Sequence, residues 1–346
     1  MRIYKLIMIY AIGMLGGACS EELATKVNLD VTVTTDEQVQ FDGETVTVKK
    51  GTPVKFVLQG NPDFISFFSG EDGAKYIYKD RTIIDPSDIV SSQLTFTVKA
   101  QYGHPDLTEG VLKMYVSDEF PGLYKNNYEA DSVLVEQFNW SDLVTQTDLP
   151  QKPNASYSAD LDLTDHLGKP MTLAIYYKQK KITPTAGAPR MNFTDMKIVN
   201  TMKSGQVTTL YAGSFGFTPI NMMHKWNLPD QASMTKNREY GTSTSNVSGI
   251  WNLVNAGIGA FQIHSSSGGT IETTPLKYSW LVSNHLTVNA CTPDRGTKIK
   301  DSTLTLEAYT YIYEKPGTYN ATFLARNLNF EHSSEEVINI TIKVTD

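Results

Sequence analysis

Apolar and polar residues alternate with a period of two along much of this 346-residue chain, and that alternation is the first limit on its fold. It is plain in Leu29-Asp30-Val31-Thr32-Val33, Thr45-Val46-Thr47-Val48, Leu94-Thr95-Phe96-Thr97-Val98 and Asn339-Ile340-Thr341-Ile342-Lys343-Val344. Successive side chains of an extended strand point to opposite faces, so this spacing makes strands buried on one side, and the β-branched content suits a pleated surface. No stretch keeps a helical apolar stripe through three turns. Asp42-Gly43, Lys50-Gly51, Gln59-Gly60-Asn61-Pro62, Ser69-Gly70-Glu71-Asp72-Gly73 and Lys315-Pro316-Gly317 supply turns between the strands. Many short strands at this spacing predict an all-β chain of sandwiches or jelly rolls. The length argues for two or more modules, and 40% hydrophobic residues suffice to bury their cores.

Two half-sandwiches flank the middle of the chain. Near the end, Tyr309-Thr310-Tyr311-Ile312-Tyr313 leads into Lys315-Pro316-Gly317-Thr318-Tyr319, and a last strand follows at 337–344. The Pro-Gly pair makes the turn and alternate aromatics face the core. This segment resembles the closing half of a polycystic-kidney-disease-type (PKD) repeat, an immunoglobulin-like sandwich. Its opening half is missing locally, and the start of the chain offers one. Strands at 29–34, 45–48 and 53–58 precede Asp63-Phe64-Ile65-Ser66-Phe67-Phe68-Ser69-Gly70-Glu71-Asp72-Gly73, which resembles a degenerate PKD central strand and turn. The expectation is one discontinuous Ig/PKD-like module, residues 27–88 with 303–346; two small separate modules are the alternative.

The stretch between, 90–300, reads as its own sandwich. Segments 94–100 and 111–116, Trp140-Ser141-Asp142-Leu143, Ala159-Asp160-Leu161-Asp162-Leu163-Thr164 and 171–177 follow one another in an order that resembles galactose-binding-like jelly rolls. With the flanking modules, the whole resembles a Bacteroidota surface lipoprotein family of unknown function encoded with glycan-uptake systems. That resemblance implies a binding role.

The first residues concern location. Met1 to Lys5 are short and positive, an uncharged apolar run follows to Gly17, and the run is too short to span a membrane. Residues 1–18 read as a signal peptide. Leu15-Gly16-Gly17-Ala18-Cys19 resembles a lipobox, which implies cleavage before Cys19 and acylation of that cysteine, with 19–26 as linker. Each buried methylene contributes about 0.8 kcal/mol, so several acyl chains anchor the protein to a membrane without spanning it. Ser20-Glu21-Glu22 resembles the acidic tag that exports such lipoproteins to the outer face of the outer membrane.

Loss of Arg2 and Lys5 with the signal takes the net charge from −7 to −9, 28 basic against 37 acidic side chains. Such a surface does not seek nucleic acid. With Cys19 acylated, Cys291 is the remaining cysteine and is expected to be a small buried hydrophobe.

Catalytic motifs are missing: no G-x-S-x-G, H-E-x-x-H, P-loop, EF-hand or cysteine pair occurs, so the sequence implies no enzyme, cofactor or metal site. The six histidines are scattered singly. Asp160 and Asp162 share a strand face but read as strand-end or turn groups rather than the paired carboxylates of a glycosidase. Carbohydrate is the expected partner, a polysaccharide or oligosaccharide, because a flat aromatic ring suits the C–H face of a sugar with polar groups beside it. Trp140 and Trp280 lie in strand-like stretches and are expected in the core. Trp226 and Trp251 lie in a polar, Gly-, Ser- and Asn-rich tract, 213–270, which reads as a long loop. The candidate platform is therefore Trp226 and Trp251 with His224, Asn227 and Asn252. The expected function is a carbohydrate-binding accessory lipoprotein; a structural or adhesive surface protein and an unrecognised glycan hydrolase are the alternatives.

Overall fold

A computed structural model describes residues 26–180, 187–222, 238–264 and 277–346. Its strands, numbered in chain order, begin with β1 (Leu29–Val33), β2 (Val39–Phe41), β3 (Thr45–Lys49), β4 (Pro53–Gly60) and β5 (Phe64–Phe68). Then come β6 (Ile89–Gln101), β7 (Leu112–Ser117), β8 (Ser141–Asp142), β9 (Ser156–Asp162), β10 (Pro170–Lys178) and β11 (Arg190–Met202). They continue with β12 (Val207–Tyr211), β13 (Thr218–Ile220), β14 (Trp251–Asn252), β15 (Phe261–Ile263), β16 (Tyr278–Val282) and β17 (Leu286–Thr287). The last are β18 (Thr297–Lys300), β19 (Ala308–Ile312), β20 (Gly317–Leu328) and β21 (Ser333–Thr345). The fold is all-β, with one α-helix, α1 (Tyr128–Gln137), among the described residues. Burial follows the sequence pattern: in β1 Leu29, Val31 and Val33 are buried while Asp30 and Thr32 are exposed.

The chain forms two compact units, Met1–Arg81 with Thr292–Asp346, and Thr82–Cys291. In the first, a sheet ordered β1-β4-β19 accompanies a sheet ordered β18-β5-β20-β21-β3-β2. Early strands pair with late ones: Phe56 opposes Tyr309, Phe67 opposes Phe323, and β21 runs parallel to β3 with Ile342 opposite Val46. The core is aromatic, with Phe56 and Phe67 at 5.1 and 5.0 Å from Phe323 between ring centroids. The unit boundaries differ from those expected at 88/90 and 300/303. Ile83 bridges Ala290, Ile84 and Ile89 bury with Met202 and Cys291, and Thr297–Lys300 is an edge strand on β5 of the first unit. An edge strand needs few apolar residues, so Thr297-Lys298-Ile299-Lys300 carried little signal.

The second unit has a sheet ordered β14-β15-β11-β6-β9, with β12 also on β11, and a sheet ordered β13-β16-β10-β7-β8, with β17 also on β10. Leu94, Phe96, Met191 and Phe193 from the first sheet share a core with Met114, Leu173, Ile175 and Leu281 from the second. β16 is buried at all five positions, because α1 and surrounding aromatics cover the outer face of its sheet. Trp280 is in this layer, buried, with Trp140 stacked at 6.3 Å from it. Asn127 caps α1 by accepting from the Ala130 N–H, and the helix buries Asp131 and Val135. Because Asp131 occupies the buried stripe, the helix has no apolar periodicity, and the sequence did not announce it. Asp131 accepts from the Tyr124 and Lys125 amides and the Tyr240 hydroxyl, each at 2.8 Å.

Candidate functional site

Among the described residues, no helix or aromatic layer covers the outer face of the other sheet. Strand alternation decides what it displays. On β11, Met191 and Phe193 are buried, so Asn192 and Thr194 face away from the core; on β15, Phe261 and Ile263 are buried and Gln262 faces out; on β14, Trp251 is buried and Asn252 faces out. Gln101 ends β6 on the same side, opposite Arg190. These residues line a cleft of about 440 Å³, with Asn255, Val254, Thr244 and Ala260 completing its walls, and Phe193 and Phe261 border it from strands that turn their rings into the core. The two phenylalanine rings are stacked at 4.6 Å and almost wholly buried.

The wall loop is positioned by backbone. Gly259 has a φ of 77° and its carbonyl accepts from the Met196 amide at 2.9 Å, where β11 bulges between Thr194 and Lys197. A Cβ on Gly259 would lie 2.6 Å from the Met196 nitrogen, so only glycine fits this approach. The loop thereby stands beside β11 and brings Val254 and Asn255 to the cleft.

Five carboxamides therefore line one cleft, and none of its described lining residues is ionisable. Asn192 Nδ2 donates to Gln101 Oε1 at 2.9 Å, Gln262 Nε2 donates to Asn246 Oδ1 at 3.1 Å, and Asn252 Oδ1 accepts from the Val254 amide at 3.0 Å. These bonds fix the amide orientations and leave the opposite ends, Gln101 Nε2, Asn192 Oδ1, Gln262 Oε1 and Asn252 Nδ2, directed to other partners. Such an array offers donors and acceptors alternately at little cost in charge desolvation.

The expected platform fares unevenly. His224, Trp226 and Asn227, like Cys19, lie outside the described residues. Trp251 is a correction: its exposure is 0%, and its ring sits 6.3 Å from Phe193 and 6.2 Å from Phe261 in the core. Neighbouring strand residues face opposite ways, so Asn252 lines the cleft because Trp251 does not. Nor is 213–270 one loop, since β13, β14 and β15 lie within it. Gln101, Asn192 and Gln262 were missed. Each shows in the sequence as an amide beside buried apolar residues, but only the strand register brings them together.

Other polar clusters are accounted for by structure. Asp162 accepts from the Thr164 amide at 2.9 Å and from its hydroxyl, which hold its carboxyl below the usual range, so it is a turn group. Asp118 and His166 pair at 2.7 Å. In the first unit, a cavity of about 380 Å³ has its acids occupied, Glu71 by the Tyr311 hydroxyl at 2.5 Å and Asp72 by Lys75 at 2.6 Å. No group of three or more His, Cys, Asp or Glu placed to hold a metal occurs among the described residues.

Residues 18–215 match a family model described as a domain of unknown function (DUF5017). The match takes in Gln101, Asn192 and Thr194 and ends before Asn252, Asn255 and Gln262. No curated protein and no solved structure matches the chain.

Proposed function

Because this chain belongs to the DUF5017 family, a family defined by a domain of unknown function, we propose its role from the chemistry of the cleft: it binds carbohydrate. The observation that carries this is the set of five carboxamides on the outer sheet face, with no ionisable side chain among the described lining residues. Sugar hydroxyls both donate and accept, and carboxamides do the same, so the two sets of groups can pair without leaving an unmatched charge. The described lining residues include no carboxylate, whereas glycoside hydrolysis commonly uses a pair of them, which favours a binding role in this reading. The lipobox-like segment ending at Cys19 and the acidic residues after it support a lipid-anchored protein facing outward from the outer membrane. Such a protein serves as the glycan-capturing accessory of an uptake system.

Two measurements test this. A glycan array probed with the full chain should give carbohydrate ligands, and Asn192→Ala and Gln262→Ala should each lower their affinity about five- to tenfold, the equivalent of roughly 1 kcal/mol per lost hydrogen bond. An array without hits, or hits indifferent to both substitutions, would show the cleft is not the site. Separately, Cys19→Ala should move the protein out of the membrane fraction; retention there defeats the anchoring proposal.

An adhesive role is the second reading, favoured by Val254 and Ile258 on the wall loop, 63% and 70% exposed. It predicts that Ile258→Ser abolishes contact with a protein partner while leaving any sugar binding intact.

A further inference from the structure

We infer that the cleft is one end of a row crossing five strands, so that its ligand is an extended neutral glycan chain lying across the strands, not a single terminal sugar; this rests on the reading of the cleft as a carbohydrate site. The register establishes the row. Asn252 opposes Gln262, Gln262 opposes Asn192, Asn192 opposes Lys99, and Lys99 opposes Ser156. Their strand neighbours Trp251, Ile263, Met191 and Val98 are buried, so all five side chains share the outer face. Adjacent strands are about 4.8 Å apart, and four such steps make the row about 19 Å long. A hexose ring is about as long as one strand step, so about five rings in file would each find one strand beneath them.

A second row backs the first. Thr194 opposes Thr97, and Thr97 opposes Ser158, with the Thr97 and Ser158 hydroxyls 2.9 Å apart. Beyond it the β11 bulge ends the flat surface, and Lys197 lies over the Tyr211 ring with its amine bonded to Asp195 at 2.8 Å. Two parallel rows of amides and hydroxyls thus run the same way, perpendicular to the strands, from the cleft toward β9. Lys99 is the one charged member of the five. It is exposed, and its ammonium carries three donors that sugar hydroxyls can accept. The cleft alone would fit one or two rings, and the polar row continues past it.

The test is calorimetry on the full chain with neutral gluco-, manno-, xylo- and galacto-oligosaccharides of two to six rings. Affinity for the binding series should rise at least about tenfold from two rings to five and then level off. Lys99→Ala combined with Ser156→Ala should weaken the five-ring ligand about three- to tenfold and leave the two-ring ligand unchanged, while Asn192→Ala weakens both. High salt should not alter the five-ring affinity. Affinity independent of length, with Asn192→Ala still weakening it, would overturn the extended row and leave the sugar site standing. Strong salt dependence relieved by Lys99→Ala would overturn the neutral-chain assignment. No binding by any series overturns both.

Discussion

The two sheets of the second unit carry the same kind of inward face and opposite kinds of outward face. Outside β10 and β16 lie α1, Phe120, Trp140, Trp280 and Tyr278, with the Tyr278 hydroxyl bonded to Glu136 of the helix at 2.5 Å. Outside β6, β11 and β15 the described residues are amides and hydroxyls with the charged Lys99 and Arg190 beside them. The primary sequence records the difference. The segment 171–177 is apolar almost throughout, as a strand buried on both faces must be, whereas β6 alternates to its end. A sandwich needs only its inward faces for stability. Among the described residues, the outer face of the first sheet thus carries polar groups that packing does not require there.

Trp251→Ala gives the sharpest break in this comparison. The ring is behind the bare face and belongs to the core, so its loss should cost about 3 to 5 kcal/mol in urea unfolding of the second unit. A small stability change with lost sugar binding would restore it to the ligand. Next in size is Asp131→Ala on the covered side. It strands two backbone amides and a tyrosine hydroxyl, and should cost about 2 to 3 kcal/mol and loosen α1, seen as faster amide exchange in 128–137.

What the sequence disclosed follows the same division. Inward residues repeat at period two, so β1, β3, β6 and β21 were legible. The early and late flanks each showed half of a sandwich, and β4–β19 and β5–β20 pair across them. Outward residues answer to no period. Asn192, Gln262 and Gln101 are separated by up to 161 positions, and only their register joins them. Trp251 misled because a tryptophan in a polar tract looks exposed; β14 is two residues long, too short for its alternation to be seen. The helix escaped because a hydrogen-bonded aspartate sits where an apolar residue was sought.

Gly259→Ala perturbs the bare side without touching a candidate ligand contact. The new Cβ meets the Met196 backbone and the positive φ strains any side chain, so stability should fall by about 1 to 3 kcal/mol. The wall bearing Val254 and Asn255 moves with it, so glycan affinity should fall too. Unchanged stability and affinity together would mean that the loop adapts and does not shape the cleft.

The smallest effect separates the two faces by pH. On the covered side, burial pushes the Tyr128 and Tyr176 hydroxyls up to about 12, so both stay neutral in the fold at a pH where the unfolded chain ionises them. The stability they confer is complete below about 10 and is lost as pH rises toward 12. On the other sheet, His264 follows β15 with Nδ1 buried and without a hydrogen-bond partner among the described residues, and desolvation together with nearby Arg190 lowers its pKa. The fold therefore favours neutral imidazole, and stability falls as pH drops below about 6.5, where the unfolded chain takes up the proton first. Urea midpoints measured across pH should decline at both ends. Tyr176→Phe should flatten the alkaline limb alone and His264→Gln the acid limb alone. If His264→Gln left the acid limb unchanged, the imidazole would be reaching water or an acceptor, and the bare face would hold no unpaired base behind it.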